Sequence, residues 1–398
     1  MSRGRYLTVF RAPGVAWLLT TSLVARLPVA MANLAIILRI AAGTGSYGRA
    51  GAVTGAYVVG TGITGPALGR IADRLGRRPV LLVTAVLNAA GLACLAFLPV
   101  GETLLLVVVA AASGASLPPV APAVRSLWPA LVSGEQRSSL YAFDATMQEA
   151  TFMLGPTLVA LLSSLSGPPV ALVACGVIGL GGTFALSLHP AISSPVRGGT
   201  PAAELPPRRR WRLQIAGLPG LGTLVLIILV FLAAILVIEV TVVAFAGRAH
   251  ASSQAGVLLA VWATGSMAGG FAFGARTAHA GVRVLAPLMA AAALGFLCLA
   301  AAPNIGVLYG LLFLAGMSIA PGFSCIYGLV GSLAPSTGSV EAFSWIGSGI
   351  QMGAAGGAAV GGILVDAVGT RWSFVVAAGG AMATAAVAWW RTRHLLST

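Results

Sequence analysis

The sequence predicts an all-α integral membrane protein with twelve transmembrane helices arranged in two six-helix bundles. Three observations predict it. Of 398 residues, 58% are hydrophobic and 8% are charged, with a mean hydropathy of +0.96; soluble domains use about 25% charged residues. Apolar runs recur along the chain at the length needed to cross a hydrocarbon layer, about 20 residues for roughly 30 Å. The stretch from Ala50 also returns from Ala255, matching Ala50/Ala255, Gly51/Gly256, Gly60/Gly265, Gly65/Gly270, Gly69/Gly274, Gly76/Gly281 and Arg78/Arg283 without a gap.

The spans follow in order. The first, 14–41, comes after Arg3, Arg5 and Arg11 and contains Arg26; its length and that arginine argue for a retained helix rather than a signal peptide. The second, 47–70, runs into the charged segment Gly69 to Arg78, and the third occupies 79–99. The fourth, 103–131, is interrupted by Pro118, Pro119 and Pro122, and the tenth, 305–331, by Pro321 and Gly322. These two also match as repeats: Gly114, Ser116, Pro119 and Leu127 correspond to Gly316, Ser318, Pro321 and Leu329. The fifth, 138–165, opens near Ala142-Phe143, which the eleventh, 340–365, echoes as Ala342-Phe343. The sixth, 169–188, ends the first half. The seventh, eighth, ninth and twelfth are placed at 218–246, 253–275, 283–302 and 372–391. Six helices separate equivalent positions, so both halves enter the membrane from the same side, as parallel repeats. The expected division is a first bundle over 1–190, a basic linker over 191–217 and a second bundle over 218–398. The linker holds four prolines between Ser193 and Leu213, with Trp211 among Arg208, Arg209, Arg210 and Arg212. It reads as a solvated connection held by its charge, or as a segment resting at the lipid headgroups.

All 23 basic residues are arginine, and the net charge is +14. Two of them, Arg26 and Arg125, lie inside spans rather than in loops or at the last few residues of a span. Counting the others by alternate loops puts seventeen on the side of the two termini and only Arg39, Arg49, Arg248 and Arg371 on the other. Arginine-rich short loops stay cytoplasmic, so a multi-pass protein of the plasma (inner) membrane with both termini inside is expected. The charge is thereby explained by topology, and nucleic acid is not an expected partner. Cys94, Cys175, Cys298 and Cys325 lie in spans without zinc or disulfide spacing, so they read as apolar fillers. His189, His250, His279 and His394 lie at span ends or in loops, which disfavours a histidine proton relay. No phosphate-binding loop, nucleophile elbow or zinc-protease helix is present, so neither an enzyme nor direct use of ATP is expected.

Gly69, Asp73, Arg74, Gly76, Arg77 and Arg78 fit, position by position, the loop signature between helices 2 and 3 of the major facilitator superfamily. With the two halves and the basic linker, the chain resembles that family over its whole length. Glu149 to Pro156, ending in Gly155-Pro156, is similar in part to the fifth helix of its proton-linked drug exporters. The second copy of the loop has Ala278 and His279 where Asp73 and Arg74 stand. The resemblance implies the major facilitator fold and a gating role for the loop signature. Asp73 is placed to face the start of the eleventh helix near Gly338, where the helix dipole favours a carboxylate; the alternative is a loop that only sets topology.

Ionisable groups within spans are functional candidates by default. At about 1.5 Å per residue, Arg26 and Glu149 lie at similar depth, and in the family's arrangement their helices are neighbours. The expectation is that they pair, either as a proton-coupled switch or as a static ion pair. Asp144 and Arg125 are read as a gate pair or as two interfacial charges, and Glu239 as a second proton carrier. The cavity candidates are Pro119, Gln148, Phe152, Gly155, Pro156, Pro321, Tyr327 and Gln351; paired helix interruptions, together with adaptable aromatic side chains, suit a transporter's substrate site. The expected function is secondary active transport by alternating access: export of small hydrophobic or amphipathic compounds such as drugs or secondary metabolites against protons. The proton gradient is the energy source and no cofactor is needed. Expected partners are the small-molecule substrate, protons and membrane lipid, with the protein a monomer. The alternatives are a transporter of sugars or other nutrients and a non-transporting membrane sensor or subunit.

Overall fold

The computed structural model describes residues 14–132, 135–193, 220–249, 254–276 and 282–395. Most of the expected linker, with Arg208 to Arg212, lies outside them, as do Ala278 and His279 of the second loop. The described residues form helices α1 (Val15–Thr44), α2 (Tyr47–Leu75), α3 (Arg77–Phe97), α4 (Thr103–Ala115), α5 (Val120–Arg125), α6 (Trp128–Leu131), α7 (Glu135–Ser166), α8 (Pro168–Ser187), α9 (Pro190–Ser193), α10 (Leu221–Arg248), α11 (Ala255–Arg276), α12 (Val282–Leu299), α13 (Ile305–Gly316), α14 (Ile319–Leu333) and α15 (Ser339–Leu395). Among the described residues, nine stretches are long and apolar enough to cross a membrane; one of them, Ser339–Arg391, spans 53 residues. That stretch covers the expected eleventh and twelfth spans and is interrupted at Gly369, where φ is 81°. α2 is not among the nine; its end bears Arg70, Asp73 and Arg74.

Local sequence sets the boundaries. α2 starts at Ser46, whose hydroxyl accepts from the Arg49 N–H at 3.3 Å, and α13 starts at Asn304, whose Oδ1 accepts from the Val307 N–H at 3.0 Å. Such side chains satisfy donors that the first helical turn leaves unpaired. Gly76 joins α2 to α3 in one residue at φ 95° and ψ 149°, a region open in practice to glycine alone. The fourth and tenth expected spans are both broken, into α4, α5 and α6 and into α13 and α14, and the first break of each falls at the equivalent residues Ser116 and Ser318.

The repeat read from the sequence is physical. A Cβ on Gly60 would strike the carbonyl of Ala111, and one on Gly114 that of Tyr57, where α2 crosses α4. The equivalent Gly265 lies against Phe313, and Gly316 against Trp262, where α11 crosses α13. All eight positions correspond pairwise under the two repeat offsets. In a bilayer, where lipid tails are as apolar as leucine, close backbone contact of this kind drives helix association.

Within the first half α1 and α3 pack on α8; in the second, α10 and α12 pack along α15. The halves meet where α2 and α5 touch α15, and where α7 lies against α11 and α14.

Candidate functional site

Three ionised side chains meet at the centre. Arg26 is in α1, Arg125 ends α5, and Asp144 stands about two and a half turns into α7; they are 6%, 2% and 1% exposed. Arg26 Nη1 donates to Asp144 Oδ1 at 2.7 Å, and Arg125 Nε to Asp144 Oδ2 at 2.5 Å. Arg125 Nη2 also donates to Gln148 Oε1 at 2.7 Å, which accepts from the Tyr327 hydroxyl at 3.0 Å. The Arg125 guanidinium lies 3.6 Å from the Tyr327 ring centroid, in cation–π contact. Short α5 makes this possible: the break at Ser116 to Pro119 re-aims the chain so that Arg125 points inward rather than continuing along α4.

The expected pairing of Arg26 with Glu149 is therefore corrected: Asp144 is the partner. On a helix, five residues turn the side chain by about 140° and four by about 40°. Asp144 and Gln148 thus share a face toward α1 and α5, and Glu149 looks elsewhere. Depth alone favoured Glu149, but an arginine reaches far enough along the axis that facing decides. Glu149 is instead hydrogen-bonded to Ser266 of α11 and in electrostatic contact with Glu239 of α10. Ser266 also accepts from the Ala320 N–H at 3.2 Å, so its own proton is available to the carboxylate. The two acids singled out separately in the sequence are neighbours across the two halves.

Beside the ion cluster is a cavity of about 140 Å³, lined by residues of α1, α2, α5, α7 and α15 and by Leu117 to Pro119 of the break. Of the cavity candidates, Pro119, Gln148, Phe152 and Gln351 line it, as do Arg26 and Arg125. Tyr327 reaches it through Arg125 and Gln148. Gly155, Pro156 and Pro321 do not line it. Gly155 is a packing residue whose added Cβ would fall 2.7 Å from that of Ala30, and Pro321 is buried in the first turn of α14. Thr61, Thr151, Ser344 and Ser348 were missed; they line the cavity too, and Gln351 Nε2 donates to Thr61 Oγ1 at 3.3 Å. Their signal was present in the spacing: Ser344, Ser348 and Gln351 are the repeat equivalents of Asp144, Gln148 and Thr151.

Toward the arginine-rich side the halves are latched together. Asp73 accepts from the backbone N–H groups of Val340 (3.2 Å) and Glu341 (2.9 Å) at the start of α15. Arg70 forks onto Glu341 Oε1 through Nε (3.0 Å) and Nη2 (2.6 Å). Arg77 is buried near Asp73, while Arg74 and Arg78 are exposed. Gly69 lets α2 approach: its Cβ would lie 2.9 Å from the Glu341 Cα. On the other flank Ser139 Oγ donates to the Gly274 carbonyl at 2.7 Å, and the Tyr141 hydroxyl abuts Gly331.

The Major Facilitator Superfamily model matches residues 18–340 and 249–396. The chain belongs to that superfamily. No curated protein sequence matches it. As a major facilitator protein it is similar in fold to the human organic anion transporter MFSD10, at 19% identity, a TM-score of 0.75 and coverage of 96% of this chain and 99% of that one. A bacterial homologue of the iron transporter ferroportin in an outward-facing state matches at 15% identity and TM-score 0.75, over 95% and 99%. The E. coli fucose:proton symporter matches at 17% and 0.71, over 96% and 99%. The fold is thus that of multi-pass transporters rather than of an enzyme. Gly69 to Arg78 is this superfamily member's copy of the helix 2–3 signature, and here it forms the latch.

Proposed function

We propose that this superfamily member is a proton-coupled exporter of small amphipathic compounds, working by alternating access between bundles 1–190 and 218–398. The observation behind the reading is the separation of two kinds of buried acid. Protonating Asp144 would strand two buried guanidinium groups, an expensive change. Glu149 and Glu239 have each other and Ser266 for neighbours, so either can take or release a proton without unpairing a cation. Asp144 then organises the cavity, and the Glu149–Glu239 pair carries the proton. Similar folds in proton symporters for fucose and xylose and in an organic anion transporter support the general class.

Sidedness follows from the arginine count: the latch is cytoplasmic, both termini are inside, and the latched state faces outward. Protons entering from outside reach Glu149 and Glu239. Their neutralisation loosens the contact of α7 with α10 and α11 and permits the opposite opening. The protein acts as a monomer in the inner membrane, with the proton gradient as its energy source.

The test is uptake of a panel of fluorescent amphipathic compounds into inside-out vesicles under an imposed pH gradient, comparing wild type with Glu149→Gln at equal protein levels. Gradient-dependent accumulation that the substitution abolishes is expected. Accumulation indifferent to both Glu149→Gln and Glu239→Gln would remove these acids from coupling, and none with any compound would remove the export reading.

A further inference from the structure

We infer that the cavity selects small organic monoanions, with the carboxylate of the ligand seated on the unpartnered edge of Arg26; this rests on the transport reading and names its substrate class. The first argument is charge. Arg26 and Arg125 both line the cavity, and no carboxyl group does so among the described residues. Asp144, behind them, supplies one negative charge for two positive ones. The cluster is left with one net positive charge in a place where an unmatched charge is costly.

The second argument is hydrogen bonding. The Arg125 guanidinium is engaged by Asp144, Gln148 and the Tyr327 ring. Arg26 uses only Nη1; its Nε and Nη2 are buried and have no acceptor among the described residues. Two adjacent unused donors of one guanidinium, on a residue that lines the cavity, form the fork that a carboxylate fills with two bonds. Across the same cavity the hydroxyls of Ser344 and Ser348 are buried and also without partners. A native interior rarely leaves so many polar atoms unsatisfied, and an anion satisfies donors on both walls together.

The third argument is the repeat. Under the correspondence of Ala142-Phe143 with Ala342-Phe343, the counterpart of Asp144 is Ser344. The position where a second acid would stand to balance the second arginine holds a neutral donor. Apart from Thr61, Gln148, Thr151 and Gln351, the rest of the lining, including Val29, Phe152 and Ile350, is apolar, so the ligand is a carboxylate on a compact hydrocarbon or aromatic body with room for one or two further polar contacts. A cavity of about 140 Å³ is near the size that accepts a single benzene ring.

The experiment measures binding to purified full-length protein in nanodiscs at fixed ionic strength, with three ligands of one shape: benzoate, benzamide and benzylammonium. Benzoate is expected to bind at least about tenfold tighter than benzamide, as charge-assisted bonds to a buried arginine imply, and benzylammonium weakest. Arg26→Gln should remove the preference. Because that variant disturbs the ion cluster, a second pair is used at Gly347, which lines the cavity and where an added Cβ meets nothing within 4 Å. Gly347→Asp should abolish the benzoate preference by filling the site with its own carboxylate, while Gly347→Asn should retain the ratio. Equal binding of benzoate and benzamide by wild type, or a preference for the cation, overturns the inference. So does a benzoate preference unchanged by Gly347→Asp. Binding is read without a gradient or flux, so failure of proton-coupled export would leave this result standing, and the reverse.

Discussion

At the scale of single residues, the decisive arrangement is one aspartate between two arginines in a low-dielectric interior. Removing the acid alone leaves both cations buried and unpaired, which costs about 3–5 kcal/mol. Asp144→Leu is therefore expected to lower the melting temperature of the purified protein sharply. The triple variant Arg26→Met/Arg125→Met/Asp144→Leu should recover most of that loss, since apolar residues of similar volume often replace a buried ion cluster without destabilisation. A triple variant as unstable as the single one would show that the cluster also holds the fold. The triple variant should at the same time lose carboxylate preference, which separates the stabilising role of the cluster from its recognition role. Gly76 acts at the same scale by a different route: at φ 95° and ψ 149° an alanine would cost about 1–3 kcal/mol, and the α2–α3 corner aims Arg77 at Asp73.

At the scale of elements, the contact of α2 with α15 is built from parts that are individually weak, as the proposed reversible gating requires. Arg70 is 30% exposed in its pair with Glu341, where ion pairs contribute about 0.2–1 kcal/mol. Asp73 at the first N–H groups of α15 adds about 0.3–2 kcal/mol by charge and dipole. Both converge on Glu341. Asp73→Asn is expected to favour the state opened on the arginine-rich side by roughly fivefold, and Gly69→Val to do so more strongly by forcing α2 away from Glu341. The readout is labelling of Gly347→Cys by a membrane-impermeant maleimide added from that side, in a chain lacking Cys94, Cys175, Cys298 and Cys325. Labelling rates unchanged by both substitutions would leave the signature loop as a topology determinant only.

At the scale of the whole molecule, polar contacts between the halves run from the arginine-rich edge to mid-depth: Arg70 and Asp73 with α15, Ser139 with Gly274, Gln148 with Tyr327, Glu149 with Ser266. The proposed alternating access has the two bundles rock about these mid-depth contacts. A disulfide between Ser139→Cys and Gly274→Cys, in the same cysteine-free chain, should form on oxidation, arrest transport and be reversed by a thiol. Transport that continues with the bridge fully formed would exclude rocking at that edge.

Composition and periodicity alone determined the membrane class, because hydrocarbon tolerates little backbone other than helices and each needs a fixed apolar length. Repetition determined more than the count of spans: Gly60, Gly114, Gly265 and Gly316 were visible as repeats, and each proved to be a helix crossing. The contact of Asp73 with the start of the eleventh helix was legible too, since it needed only a short signature and a dipole argument. The partner of Arg26 was not. Depth along a helix can be counted from a sequence, but azimuth depends on where each helix starts, how it is rotated and which neighbour it meets. Those depend on packing among helices far apart in the chain. Only the tertiary structure therefore turned Asp144 to the arginines and Glu149 to Glu239, and left two buried donors of Arg26 without an acceptor among the described residues.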